Sequence, residues 1–161
     1  MRNRRSSTEL EAFGLTVALP AGWDGEIFKR PVDFASTAAA GTEAPSLHAA
    51  NFSLPAERGD FGSGAVDIMG RRGVLVCLNE YDAESARSVL FSAEGVPQSL
   101  HPDDFATDTL QRPQAGQAGA QRFFHVGDRG FCLYVVIGSH SLRAMLVPVA
   151  NEVLAGIKIA G

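Results

Sequence analysis

The chain has 161 residues, 45% hydrophobic and 20% charged, which is close to the globular average and excludes a disordered chain, a collagen-like chain and a coiled coil. Its longest uninterrupted apolar run, residues 131–137, is too short for a helix that spans a membrane. The net charge is −4, but residues 6–161 hold eleven basic and eighteen acidic residues, a charge of −7. Such an acidic body is a poor ligand for nucleic acid, because that affinity depends on neutralising phosphates.

Three arginines stand in the first five positions, but no apolar segment follows them as in a secretory signal peptide. We therefore interpret residues 1–11 as a disordered tail and residues 12–161 as a single domain. The two cysteines, Cys77 and Cys132, lie inside apolar runs and lack the Cys/His spacing of a zinc site. Two lone thiols without an export signal predict a cytoplasmic protein, and no pattern predicts a cofactor or a metal.

Six strands are predicted from apolar runs that are separated by turns rich in Gly, Pro and Asp. Asp24-Gly25 is predicted to be the hairpin turn between the first two strands, and residues 127–130 the turn between the last two. The continuous apolar run at 74–78, inside the segment 74–81, predicts a central strand that is buried on both faces. The predicted strands are 15–19, 26–30, 47–54, 74–81, 119–126 and 131–138.

The clearest helix is predicted near the C-terminus, where apolar residues recur at helical spacing. Ser139 or Ser141 can cap its start, and Pro148 predicts a kink or a restart because it lacks the N–H of a helical hydrogen bond. Shorter helices are predicted at 65–69 and 83–91. The predicted apolar stripe of the C-terminal helix comprises Leu142, Met145, Leu146, Val149, Val153 and Leu154.

Together these elements predict an α+β domain, in which one mostly antiparallel six-stranded sheet is packed by helices, including the C-terminal helix. Residues 157–159 are predicted to add a short edge strand. The segment 94–117 is rich in Gly, Pro, Gln and Asp, and we expect it to be a long irregular excursion.

Two resemblances to known families are carried by short segments. Residues 19–23, Leu-Pro-Ala-Gly-Trp, resemble a turn of the Mog1/PsbP-like superfamily, which implies an antiparallel sheet sandwiched by helices with a C-terminal helix like 142–155. Residues 47–52, 60–65 and 147–154 are similar to a family of uncharacterised actinobacterial proteins, which brings no activity with it. The superfamily includes a Ran-binding protein and a photosystem subunit, so the resemblance implies a binding scaffold by analogy of fold.

Two segments carry residue types that catalytic or metal sites use. The glycine loop 59–64 lacks the Gly-Lys-Ser/Thr of a P-loop and the Gly-x-Ser-x-Gly of a nucleophile elbow. Residues 101–104, His-Pro-Asp-Asp, place an imidazole beside two carboxylates, but a single local histidine is more typical of a capped turn than of a metal site. A hydrolase would have to combine Ser63 with His101 or His140 and one of these carboxylates, and no motif spacing joins them.

The sequence therefore predicts a non-catalytic binding or scaffold domain, whose partner is another protein rather than a nucleic acid, and it predicts no membrane span. We expect the partner at 94–117 and at 59–64, because binding residues concentrate on loops that a rigid scaffold holds. The alternative is a small hydrolase or a small-ligand carrier with a pocket under the 94–117 loop. The predicted partner-binding residues are Phe61, Ser63, Asp103, Asp104 and Phe105.

Overall fold

The computed structural model describes residues 7–31, 43–110 and 115–161. Its strands are β1 (Thr8–Ala12), β2 (Leu15–Leu19), β3 (Asp24–Pro31), β4 (Glu43–Ala50), β5 (Val74–Tyr81), β6 (Ala118–Val126), β7 (Arg129–Ile137) and β8 (Ile157–Ile159). They form a small sheet of order β1-β2-β8 and a large sheet of order β3-β4-β5-β7-β6, and within the described residues each pair of neighbouring strands is antiparallel. The α+β class is confirmed, but the prediction of one six-stranded sheet is wrong.

The α-helices of the described ranges are α1 (Ser63–Ile68), α2 (Ala83–Ala86) and α3 (Arg143–Ala155). Single 3-10 turns occur at Val89–Phe91, Pro102–Asp104, Thr107–Thr109 and His140–Leu142. None of these helices has the length and hydropathy that crossing a bilayer requires. The segment predicted as one helix over 83–91 is thus two short helical pieces.

The small sheet begins inside the segment that was predicted to be a tail. β1 pairs with β2 across the two-residue turn Phe13–Gly14, where both residues have positive φ, 55° and 77°. Positive φ at both central positions matches the twist of a tight hairpin. β1 is a polar, mostly exposed edge strand, and charged residues on an edge make a strand resemble a tail in sequence. The tail therefore does not extend to residue 11, and residues 1–6 lie outside the described ranges.

The predicted hairpin turn at Asp24-Gly25 is wrong, because both residues belong to β3. The chain turns instead just before them, where the Trp23 N–H donates to the Pro20 carbonyl at 3.2 Å. Gly25 is needed for close approach rather than for a turn, since a Cβ there would lie 2.7 Å from Leu19 Cδ1. The turn passes the chain from the small sheet to the large one.

The main core lies between α3, the small sheet and one face of the large sheet. α3 runs through Pro148 without a restart, and the Ser139 and Ser141 hydroxyls bond each other at 2.8 Å instead of capping it. Met145 is 46% exposed, so the apolar stripe is shifted from the predicted one. The fully buried residues of α3 are Leu146, Val147, Ala150, Val153 and Leu154.

The opposite face of the large sheet is only partly covered by apolar residues. There α1 packs Ala65 and Val66 against residues of β5 and β7 such as Cys77 and Tyr134. The large sheet is thus the middle layer between α1 and the layer formed by α3 and the small sheet.

The segment 94–110 packs against the core of the protein, although it was predicted to be part of a long irregular excursion. Leu100, Phe105 and Leu110 are buried, and Ala106 pairs with Gly119 at the free edge of β6. Apolar side chains at intervals of five residues anchor this segment to the core, although it contains no long helix or strand. Residues 111–114 lie outside the described ranges.

Candidate functional site

Polar side chains occupy the centre of the α1 face of the large sheet, where an apolar core would be expected. Strand register aligns Phe28, Ser46, Asn79, Cys132 and Phe123 in one row across β3, β4, β5, β7 and β6. The neighbouring row places His48 between Glu26 and Cys77. We refer to Arg30, Ser46, His48, Arg58 and Asn79 as the polar centre.

One branch of the polar centre links β3 to β5. Arg30 Nε donates to Ser46 Oγ at 2.9 Å, and Ser46 Oγ donates to Asn79 Oδ1 at 2.7 Å. Asn79 Nδ2 then donates to the Asp60 carbonyl at 2.9 Å. Arg30 also donates to the Glu80 carbonyl at 3.0 Å. Because each buried group has a partner, this branch ties the loop around Asp60 to the sheet at little desolvation cost.

The other branch fixes the protonation of His48, which is fully buried. Arg58 Nε donates to His48 Nδ1 at 3.0 Å, and His48 Nε2 lies 3.0 Å from the Asp60 carbonyl. A guanidinium only donates and a carbonyl only accepts, so Nδ1 carries the lone pair and Nε2 carries the proton. Burial lowers the pKa of His48 below its usual 6.5, and the Arg58 charge lowers it further. With both nitrogens engaged, His48 cannot serve as a general base.

The concavity beside His48 is small and its polar lining is already satisfied. It measures about 230 Å³ and lies between β3 and the loop at residues 56–60. The Arg58 guanidinium in its wall donates to Glu26 Oε1 at 2.9 Å and to the Pro55 carbonyl at 2.6 Å. These contacts of Arg58 therefore hold the loop in place. They leave no described polar group of the concavity that requires a ligand.

The thiols of Cys77 and Cys132 are both buried, and burial makes them unreactive. Burial raises the pKa of Cys132 to about 11 and raises that of Cys77 still more. Gln121 Nε2 donates to Cys132 Sγ at 3.3 Å. The predicted burial of both cysteines is confirmed, and the thiolate that nucleophilic or redox chemistry needs is disfavoured.

A larger cavity, of about 480 Å³, lies between residues 83–92 and the turn that joins β6 to β7. We call it the helix–turn cavity. Its volume falls within the range of small-molecule sites, and apolar and polar residues contribute about equally to its lining. The apolar residues are Ala83, Ala86, Val89 and Phe91, and the polar ones are Arg87, Ser88, Ser92, His125 and Asp128.

Local sequence features hold the helical wall of this cavity. Asp82 caps α2 by accepting the Ser85 N–H at 3.1 Å. Gly130 allows α2 to rest on β7, since a Cβ there would lie 2.7 Å from Ala86 Cβ. The Phe91 ring packs on Tyr81 and Phe123, with centroids 5.3 and 5.6 Å away. The wall is therefore formed before anything binds.

His125 connects the two walls. Its backbone N–H donates to the Ala93 carbonyl, and its carbonyl accepts the Gly95 N–H, both at 2.8 Å. Its Nδ1 lies 2.6 Å from the Phe91 carbonyl, and because that oxygen only accepts, Nδ1 carries the proton. In its neutral form the ring consequently keeps a lone pair on Nε2.

The five predicted partner-binding residues are not brought together. Phe61 packs edge-on against Tyr134 at 5.5 Å on the α1 face, and Ser63 Oγ donates to the Arg58 carbonyl at 3.2 Å rather than capping α1. Phe105 is buried in the main core on the opposite face of the large sheet. A buried ring offers no surface to a partner, so the prediction for Phe105 does not fit this structure.

The two predicted aspartates lie in a capped 3-10 turn. His101 Nδ1 accepts the Asp103 N–H at 3.0 Å, and Asp104 accepts the His101 N–H at 2.8 Å. Asp104 also pairs with Arg122 at 3.1 Å, whereas the Asp103 side chain is 78% exposed. Residues 101–104 thus form the capped turn that the sequence favoured over a metal site. The described residues contain no group of three or more His, Cys, Asp or Glu arranged to hold a metal ion.

The sequence reasoning missed the helix–turn cavity because its walls lie far apart in the chain. Residues 83–92 meet His125 only in three dimensions, through the Phe91 carbonyl and the packing of Ala86 beside Gly130. One local signal was present: Ser88 interrupts the apolar pattern of 83–91 and leaves Val89 and Leu90 outside the preceding helix. No family model, curated protein or solved structure matches the chain, so both resemblances in its sequence stay predictions.

Proposed function

We propose that the chain is a non-catalytic binding domain, whose partner protein docks on the rim of the helix–turn cavity. The observation that carries this proposal is the exposure of two adjacent apolar side chains, Val89 at 88% and Leu90 at 55%. Single exposed apolar residues are ordinary, but an adjacent pair beside a cavity is typical of an interaction site. A partner that covers this pair removes apolar surface from water.

The chemistry of the described side chains supports binding rather than turnover. His48 has both nitrogens engaged, and Ser63 donates to a backbone carbonyl instead of to an imidazole. His101 accepts a backbone N–H within its own turn. A hydrolase built on Ser63 and His101 would need an activated hydroxyl, and these contacts do not supply one.

The fold family and the cellular location belong to the same proposal. We infer that the fold is a Mog1/PsbP-like sandwich, because antiparallel strands are covered by a C-terminal helix, α3. We also infer a cytoplasmic location, since Cys77 and Cys132 are both free and buried, as in a protein that folds without disulfides.

Affinity capture from a lysate of the native cells tests the partner proposal. The variant Val89→Ser/Leu90→Ser should lose at least about 90% of the captured partner, since it removes the exposed apolar surface that the partner covers. Ile68→Ser is the matched control, because Ile68 is 60% exposed on α1, away from the cavity. Equal capture by both variants would refute the rim as the docking surface. Asp103→Ala, in a third arm, tests the partner site predicted from the sequence.

A small-ligand carrier is the second candidate function, and the volume of the helix–turn cavity favours it. The cavity lies between residues 83–92 and the β6–β7 turn, rather than under the 94–117 loop where the sequence suggested a pocket. A carrier and a protein-binding domain are distinguished by what remains bound after purification.

A further inference from the structure

We infer that the helix–turn cavity binds a free α-amino acid with an apolar side chain, held by Arg87, Asp128 and His125. This inference rests on the small-ligand form of the proposed function. It names the chemical class of the ligand from the charges, hydrogen-bonding groups and apolar surface that line the two walls.

Unpaired charges of opposite sign stand on the two walls. Arg87 belongs to the helical wall, where it is the C-cap of α2, and Asp128 belongs to the β6–β7 turn. Neither of them forms an ion pair with a described residue. Both residues are exposed, and an amino-acid zwitterion offers a partner to each, a carboxylate for the guanidinium and an ammonium for the carboxylate. Charge-assisted hydrogen bonds of this kind are among the strongest that a protein makes.

Neutral polar groups in the lining complement the same ligand. His125 Nδ1 donates to the Phe91 carbonyl, so the lone pair on Nε2 is left to accept an N–H of the ammonium group. Ser88 occupies the N-cap of the 3-10 turn Val89–Phe91, yet its side chain makes no capping bond. Its hydroxyl is therefore available to donate to the ligand carboxylate.

The rest of the lining suits an apolar side chain. Ala83, Ala86 and Val89 offer apolar surface, whereas Phe91 is buried and holds the helical wall through its ring contacts with Tyr81 and Phe123. A preformed wall reduces the ordering cost of binding. A cavity of about 480 Å³ accepts a single amino acid and its side chain, and a zwitterion with an apolar side chain matches both the charged and the apolar groups of the lining.

Ligand-observed NMR with leucine, valine, methionine and phenylalanine tests the inference, followed by calorimetry on the tightest binder. Leucine has two useful analogues: isopentylamine lacks the carboxylate, and 4-methylpentanoate lacks the ammonium group. We expect saturable binding of at least one amino acid, and at least about tenfold weaker binding of analogues that lack either charge. Glycine, which lacks the apolar side chain, should also bind more weakly.

Charge-neutralising variants locate the site. Arg87→Gln and Asp128→Asn should each raise the Kd of the amino acid at least about tenfold. Arg71→Gln and Asp108→Asn are the matched controls, because both residues are exposed and lie outside the cavity lining. Unchanged melting temperatures show that all four variants fold.

Three outcomes would overturn the inference: no amino acid binds, an analogue that lacks one charge binds as well as the amino acid, or the control variants weaken binding as much as the cavity variants. Capture with Leu90→Ser alone, a residue outside the cavity lining, reports on the partner protein separately from the ligand. If Leu90→Ser loses the partner that the parent chain captures while every amino acid fails to bind, the domain is a protein-binding module and the inferred ligand is wrong.

Discussion

His48 shows how a single buried residue can organise a loop. Its imidazole bridges Arg58 and the Asp60 carbonyl, so one ring joins β4 to two points of the loop that covers the α1 face. A protonated ring would present an N–H to the Arg58 N–H and place two positive charges side by side. The bridge therefore exists only while His48 is neutral.

The pH dependence of stability follows from this bridge. Because burial lowers the pKa of His48 below 6.5 in the folded chain, the unfolded chain takes up the proton first. The free energy of unfolding should therefore keep its full value above about pH 6.5. Below that pH it should decrease, by up to about 1.4 kcal/mol per pH unit. Denaturant unfolding between about pH 5 and pH 7.5 measures the slope.

Two variants show whether the pH dependence of stability comes from His48 or from another histidine. His48→Asn should be less stable than the parent but should lack the slope, whereas His101→Asn should keep it, since the His101 side chain is 70% exposed. A parent protein whose stability is flat from about pH 7.5 to pH 5 would contradict the assignment of a neutral, bonded His48.

At the scale of elements, strong local patterns were predictable and contacts between distant segments were not. β2 and β5 were predicted with the observed bounds, because 15–19 alternates cleanly and 74–81 begins with the continuous apolar run 74–78. β1 was missed because its exposed edge carries charge, and the division into two sheets depends on the distant pairing of β2 with β8. The candidate site was largely unpredictable for the same reason, since the walls of its cavity meet only in three dimensions.

α3 provides a test in which neighbouring residues differ in burial. Leu146 is buried in the main core, and Met145 beside it is 46% exposed. Leu146→Ala should cost about 2–5 kcal/mol of stability, the range for a core leucine, because it leaves a cavity under the helix. Met145→Ala should change stability by about 0.5 kcal/mol or less. Similar effects of the two substitutions in denaturant unfolding would mean that α3 does not dock as described.

At the scale of the whole molecule, Arg129 joins the two sheets. Its guanidinium contacts both Glu80 carboxylate oxygens, at 2.6 and 3.0 Å, on the large sheet. It also donates to the Phe13 carbonyl in the β1–β2 turn and to the Ala160 carbonyl beyond β8, each at 3.0 Å. A planar guanidinium with several fixed donors can make these contacts together, whereas an ammonium group cannot.

Removing the contacts of Arg129 should lower the free energy of unfolding more than removing a surface ion pair. Arg129→Gln should lower the free energy of unfolding by about 3 kcal/mol, because it strands the largely buried Glu80 carboxylate. Arg122→Gln is the control, since Arg122 and Asp104 form a more exposed pair whose loss should cost about 1 kcal/mol or less. Equal losses would show that Arg129 contributes no more than an ordinary surface charge.

The pairing of β2 with β8 has a consequence for biosynthesis. Val17 lies opposite Ile157, so the strand at the centre of the small sheet obtains its second neighbour from the far end of the sequence. A nascent chain on the ribosome can form the β1–β2 hairpin early, but it cannot complete the small sheet until β8 has been translated. Until then the apolar edge of β2 is open to other chains, and this exposure ends only when the loop between the two strands closes.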